Sequence, residues 1–320
     1  MNDKFISESF PPRKDPSRPQ PLTIRIETQR RAGVRPSGFP PPPFMDHIPS
    51  SSVYSYPRMT TEEVRRSFLA GGLFVPGEVV LRHWETDRAV FGGAVPTAAP
   101  LSIGCPRELA ATCFCDRREL GVINIGGPGA VRVDSLSYAT GRLDCLYVGR
   151  GAKDISFSSL DAARPAQFYL LSYPAHTAFP TTLVPFNQAN GVALGSPAAA
   201  NARVLHRIIH PAGIKSCQLV MGYTLLQQGS VWNTMPPHTH MRRSEVYLYF
   251  DVPADAVVFH FLGQPRETRH IVVSDREVAL SPPWSIHSAA GTSNYGFIWG
   301  MGGENQEFAD MDQVPTNALR

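Results

Sequence analysis

From about Met45 onward the chain is a succession of short apolar runs, each ended by glycine or proline before it reaches helical length. Gly121–Ile125 (GVINI), Ala130–Val133, Val246–Phe250 (VYLYF), Val257–Leu262 and His270–Val273 are the clearest cases. Runs of this size, rich in β-branched and aromatic residues and bounded by turn formers, are strands rather than helices. Many such strands in close succession imply an antiparallel barrel or sandwich. One segment reads differently: in Thr60–Ala70 (TTEEVRRSFLA), Thr61 precedes Glu62 and Glu63, and Val64, Phe68 and Leu69 share one side, which predicts a helix. The expected class is therefore all-β with few short helices. With 42% hydrophobic and 18% charged residues there is ample material for a core, and 320 residues can hold two domains.

The chain divides by composition. Residues 1–44 hold ten of the thirty prolines, including Pro40 to Pro43, and follow neither strand nor helix periodicity. They are expected to be a Pro-rich, disordered tail. Around residues 185–202 (PFNQANGVALGSPAAANA) the strands give way to a turn-rich stretch, the expected link between an N-terminal domain at 45–190 and a C-terminal domain at 191–320. The two halves carry a faint tandem repeat. Arg117–Ile123 can be laid over Arg243–Tyr249, matching Glu119 to Glu245. Leu146–Gly149 can be laid over Leu280–Pro283, which sets Lys153 opposite His287.

Charge and cysteine usage remove several functional classes. The formal charge is +3, but residues 1–44 contribute eight Lys or Arg against four acids, which leaves a nearly neutral body. A nucleic-acid binder needs a basic face on its folded domain, so no nucleic-acid partner is expected. Five cysteines (Cys105, Cys113, Cys115, Cys145, Cys217) form an odd set without zinc-finger or CxxC spacing, as suits a reducing compartment. With no 18-residue apolar run and no secretory signal core, the expectation is a cytoplasmic protein without a membrane partner.

The chemistry is concentrated in Pro236–Glu245 (PPHTHMRRSE). Side chains two apart on a strand share a face, so His238 and His240 can aim imidazoles at one point. Glu245 follows at the start of VYLYF, and His287, in PPWSIH, is the best fourth donor. A lone HxH pair usually marks ordinary surface histidines; with the glutamate and a later histidine behind a proline turn, in an all-β chain, it reads as a metal site. Three imidazoles and one carboxylate suit Zn²⁺, Mn²⁺, Fe²⁺ or Ni²⁺.

HTHMRRSE and PPWSIH resemble the two metal-binding motifs of the cupin superfamily, whose fold is a small β-barrel with the metal in its mouth. Three positions depart from the usual form: Trp284 and Gly291 replace a typical glycine and asparagine, and no glycine follows the first motif. Further stretches, Glu119–Gly127 (ELGVINIGG), Tyr147–Lys153 (YVGRGAK), Pro174–Thr177 (PAHT), Trp232–Met235 (WNTM), Gly263–Ile271 (GQPRETRHI), Trp299–Met301 and Gly303–Gln306 (GENQ), resemble one family, the 5-keto-4-deoxyuronate isomerases, also called 4-deoxy-L-threo-5-hexosulose-uronate ketol-isomerases. The resemblance runs from about Met45 to Arg320. It implies a tandem cupin of two antiparallel barrels or jelly rolls, with one Zn²⁺ per subunit on His238, His240, Glu245 and His287. It further implies a homohexamer and a cytosolic step of pectin and uronate breakdown, from 5-dehydro-4-deoxy-D-glucuronate to 3-deoxy-D-glycero-2,5-hexodiulosonate. By the repeat, Thr112, Phe114 and Lys153 stand where the second barrel has His238, His240 and His287, so the first barrel is expected to bind no metal.

Moving a carbonyl to the neighbouring carbon passes through an enediol and needs a proton carrier. Candidates are His260, His270, His176, Tyr247 and Lys153, besides Glu245 and a metal-bound hydroxide. His260 lies in the strand VVFHF, where a core histidine is the competing reading. An arginine is expected to pair with the substrate carboxylate, from Arg242, Arg243, Arg266 and Arg269, of which Arg243 and Arg269, with Trp284, are carried forward as substrate-binding residues. A cupin dioxygenase using Fe²⁺ and O₂, and a non-catalytic sugar-binding cupin, are the alternatives.

Overall fold

The computed structural model describes residues 45–307 and 309–320, which lie in one compact unit; the expectation for the 1–44 tail falls outside them. The fold is all-β, with one α-helix, Thr61–Phe68, among the described residues. Two seven-stranded sheets repeat one arrangement. In the first, the strands Val79–Trp84, Ala89–Ala94, Phe168–Pro174, Arg118–Asn124 and Cys145–Val148 lie side by side in that order. In the second, Arg203–Ile209, Val220–Leu226, Gly296–Gly303, Arg243–Phe250 and Val278–Ser281 do the same. Each large sheet has a four-stranded companion, built on Ile155–Ser159 with Gly129–Val133 and on Val258–Gln264 with Glu267–Val273. Between the strands of the described residues pairing is antiparallel except for Asp46–Ile48, which runs parallel to Val79–Trp84; two isolated bridges, Pro76 to Val95 and Ile209 to Ile214, are also parallel.

Three apolar cores hold this together. One fills the first barrel, from Phe114 and Leu120 to Val131 and Phe157. A second fills the far side of the second barrel, including Tyr247, Tyr249, Val258 and Phe297. The third, with Leu171, Tyr173, Met221, Val246, Leu248 and Ile298, lies between the two large sheets. Glycine permits the close approach there: a Cβ on Gly300 would meet the Leu171 side chain at 2.0 Å, and one on Gly121 the Met221 sulfur at 2.5 Å.

The helix lies within the segment Thr60–Ala70 that its sequence signal marks. Thr60 is the cap: its hydroxyl accepts from the Glu63 N–H (3.3 Å) and the Glu63 carboxylate accepts from the Thr60 N–H (2.7 Å). Val64 and Phe68 are buried beside Tyr56 in the core of the second barrel, and Leu69–Ala70 pairs with Val278–Ser281 of that barrel. This segment was expected to belong to the N-terminal half. In the turn-rich 185–202 stretch, where the strands were expected to give way, Gly191–Leu194 is an edge strand on Arg203–Ile209.

The Glu119–Glu245 alignment is out of phase. Leu120 and Val122 face the interior of the first barrel, so Glu119 faces the opposite way, toward the core between the large sheets. Tyr247 and Tyr249 face the interior of the second barrel, and Glu245, in phase with them, does the same. A slip of one residue sends every side chain to the other face of a sheet. Glu119 is instead a buried staple: its carboxylate accepts from the backbone N–H of Cys217, Gln218 and Leu219 (2.7, 2.7 and 2.8 Å) and from the Tyr147 hydroxyl (2.8 Å). It thereby ties the loop before Val220–Leu226 to the first sheet. Glu119→Ala leaves these donors unpaired and is expected to cost about 3 kcal/mol or more. A lowered midpoint in chemical denaturation checks this; a midpoint equal to that of the wild type would remove the staple role.

Candidate metal centre

The second barrel brings four donors to one place by three routes. His238 lies on a two-residue strand that pairs with Asp312–Gln313, and His240 follows in the turn before Arg243–Phe250. Glu245 points inward from that long strand, opposite Ser281 of the neighbouring strand. His287 comes from beyond the turn closed by the Ser285 N–H on the Pro282 carbonyl (2.9 Å). All four are buried, and one donor atom from each lies within 4.8 Å of the other three.

The protons among these groups show what the cluster lacks. His240 Nδ1 donates to the Arg243 carbonyl (2.9 Å), so a neutral His240 turns its Nε2 lone pair on Glu245 Oε1, 2.7 Å away. His287 Nδ1 is 3.2 Å from the Ser281 hydroxyl, while its Nε2 meets His238 Nε2 at 2.9 Å and Glu245 Oε1 at 3.3 Å. Acceptors converge on one another, and a cation between them resolves the conflict. Backbone or hydroxyl partners on the outer imidazole nitrogens, with the inner ones converging, are the usual support of metal-ligating histidines. The group fits a metal ion and can hold one.

The electrostatics agree. Burial works to raise the Glu245 carboxyl, but the surrounding His287 and His240 imidazoles outweigh it and hold the group well below the usual carboxylate range. Burial drives His287 well below, and His238 below, the ordinary imidazole value, so both offer lone pairs at neutral pH. Burial lowers His240 as well, yet its hydrogen bond to Glu245 prevails and raises it. The opposite shifts of His240 and Glu245 both mark a place that favours positive charge, which is where a metal ion fits.

A cavity of ≈ 230 Å³ adjoins His238, His240 and Glu245, with Arg203, Thr224, Arg243, Tyr247 and Trp299 in its walls. Thr234 also lines it with φ 46°, a left-handed backbone rarely adopted by a β-branched residue. Of the proton-carrier and substrate-binding candidates expected from sequence, besides the metal donors, Tyr247 and Arg243 line this cavity. Arg243 is already engaged, in an ion pair with Asp310 (2.6 Å) and as a donor to Asn305.

The other candidates are elsewhere. Arg269 caps the segment before the helix, donating to the Pro57 (2.6 Å) and Met59 carbonyls and stacking on Tyr56. Trp284 packs against Tyr56 and Phe68, at centroid distances of 5.3 and 6.1 Å. Both therefore close the barrel wall rather than line the cavity. His260 is fully buried, with Nδ1 2.7 Å from the Tyr249 hydroxyl and burial pushing it down to about 3, so it is a neutral core histidine. His270 is exposed beside Phe259, and His176 and Lys153 are exposed on the first barrel. Arg203 and Thr224 escaped the sequence reading, which held Trp299 only within a family stretch and gave it no place in the site. An arginine in phase with Leu205 in RVLHRII was a usable signal for the first; the others depend on pairing across strands.

Antiparallel barrel and buried donor set together define a protein of the cupin class. A crystal structure of an IolB-like protein from Salmonella typhimurium shares the fold, with a TM-score of 0.65 at 13% identity, over 77% of this chain and 96% of that one. The KduI/IolB family model matches residues 98–316, and the chain belongs to the KduI/IolB family. Proteins named 4-deoxy-L-threo-5-hexosulose-uronate ketol-isomerase are similar over most of their length. The one from Halalkalibacterium halodurans is 48% identical over 276 residues, covering 86% of this chain and all of that protein. The one from Opitutus terrae is 52% identical over 264 residues, covering 82% and 95%. Among the described residues no helix is long and apolar enough to cross a membrane.

Two substitutions test the centre. His287→Ala is expected to leave the purified protein without stoichiometric metal, measured by elemental analysis. Ser281→Ala, which releases the outer nitrogen of His287, is expected to weaken metal affinity about tenfold in chelator competition.

Proposed function

We propose that this chain is a metal-dependent ketol-isomerase that converts 5-dehydro-4-deoxy-D-glucuronate into 3-deoxy-D-glycero-2,5-hexodiulosonate. The observation that carries the reading is a buried three-imidazole, one-carboxylate cluster opening onto a cavity, in a chain about half identical to proteins named for that reaction. The imidazole-rich donor set suits Zn²⁺, which we assign with one ion per subunit on His238, His240, Glu245 and His287. When bound, the ion supplies Lewis acidity for the negative charge that develops as the carbon-bound proton leaves.

The rest of the chemistry falls to the chain. The hydroxyl-bearing carbon loses its proton, the neighbouring carbonyl carbon gains one, and a hydroxyl proton crosses between the two oxygens. Tyr247 faces the cavity beside Glu245, and burial together with that carboxylate holds its phenol well above the ordinary tyrosine value. It therefore stays protonated and serves as the proton donor to a substrate oxygen, not as the resting base. Trp299 and Phe297 give the cavity an apolar floor that limits water around the enediol.

Turnover of freshly generated keto-uronate should vanish on chelation and return with Zn²⁺. Metal-loaded protein that forms no product would overturn the isomerase reading, and oxygen consumption would favour a dioxygenase instead. Tyr247→Phe should keep its metal while kcat falls about 100- to 10,000-fold.

A further inference from the structure

Arg203 opens the strand Arg203–Ile209 and, with Leu205, lines the same cavity as the three donors His238, His240 and Glu245. Its guanidinium donates to a neutral group, from Nη1 to the Asn201 carbonyl at 2.8 Å. Among the described residues, no carboxylate lies within ion-pair distance of it. The neighbouring arginines are in the opposite condition. Arg243 is paired with Asp310, and Arg242 with Asp310 and Asp312 (3.2 and 3.3 Å). Half-burying a guanidinium without a counter-charge is costly, and burial does lower the Arg203 group from its ordinary value. Such a cost is tolerated where a ligand brings the missing negative charge. A guanidinium also presents a planar fork that matches a carboxylate in two parallel hydrogen bonds.

We infer that Arg203 binds the carboxylate of the substrate and selects acidic over neutral sugars. The inference rests on the isomerase reading for the identity of that substrate. The arrangement divides the labour: the metal-side donors face the end of the sugar that reacts, and Arg203 holds the end that does not. Arg243, whose two terminal nitrogens are engaged by Asp310 and Asn305, keeps the carbonyl that accepts from His240 in place and does not clamp the ligand.

The test compares affinities of metal-loaded protein for D-glucuronate and D-glucose, two probes that differ by the carboxylate, in the wild type, Arg203→Gln and Arg203→Lys. Wild type should prefer glucuronate. Arg203→Gln should lose about 10- to 100-fold of that preference, the range for a hydrogen bond to a charged group, and Arg203→Lys should recover part of it. In turnover, KM for the keto-uronate should rise by a similar factor in Arg203→Gln, with a smaller loss in kcat. A wild type without preference for glucuronate, or an Arg203→Gln variant that keeps the full preference, overturns the clamp. A wild type that prefers glucuronate but does not turn over the keto-uronate overturns the isomerase reading alone.

Discussion

The two-residue pleat of the strand Arg243–Phe250 is the constraint on which the rest of the molecule depends. One face carries Glu245, Tyr247 and Tyr249 into the second barrel, and the other carries Val246, Leu248 and Phe250 into the core shared by the two large sheets. A single strand thus supplies the acidic donor of the candidate site and the apolar contact that fixes this barrel against its neighbour. The register leaves no freedom to trade one for the other, because a shift by one residue would bury Val246 at the site and place Glu245 in the apolar core.

Buried charge is handled differently at each position, and the differences separate architecture from chemistry. Glu119 is saturated by three backbone N–H groups and a phenol, so it stabilises a loop and has no capacity left for a ligand. Arg243 is neutralised by Asp310, which holds the turn carrying His240. Glu245 and the three histidines have more converging acceptors than protons, and Arg203 has a charge without a counterpart among the described residues. The donors His238, His240 and Glu245 and Arg203, which has no ion-pair partner among the described residues, line one cavity, and the ion-paired Arg243 stands in the same wall.

Much of this was legible in the chain. The strand-rich class followed from short apolar runs cut by glycine and proline. The four donors followed from HTH, the glutamate five residues on and the histidine behind PPWS, because two-residue spacing and a proline turn are local features. What failed was non-local. The Glu119–Glu245 match looked sound letter by letter, but the pleat phase of each strand is set by what packs on either side. Trp284 and Arg269 stand near the site in sequence and were therefore expected to line it, whereas the helix Thr61–Phe68 and the segment before it cover them from nearly the far end of the described chain. Arg203 was missed for the converse reason, since strand pairing alone brings it to the cavity.

X-ray absorption at the zinc edge of the metal-loaded protein tests the account most directly. It predicts a first shell of nitrogen and oxygen at about 2.0–2.1 Å with the outer-shell scattering of three imidazoles, reduced to two in His287→Ala if any metal is retained. Sulfur scattering at about 2.3 Å, or a shell indifferent to that substitution, would place the metal on cysteines or elsewhere and contradict it.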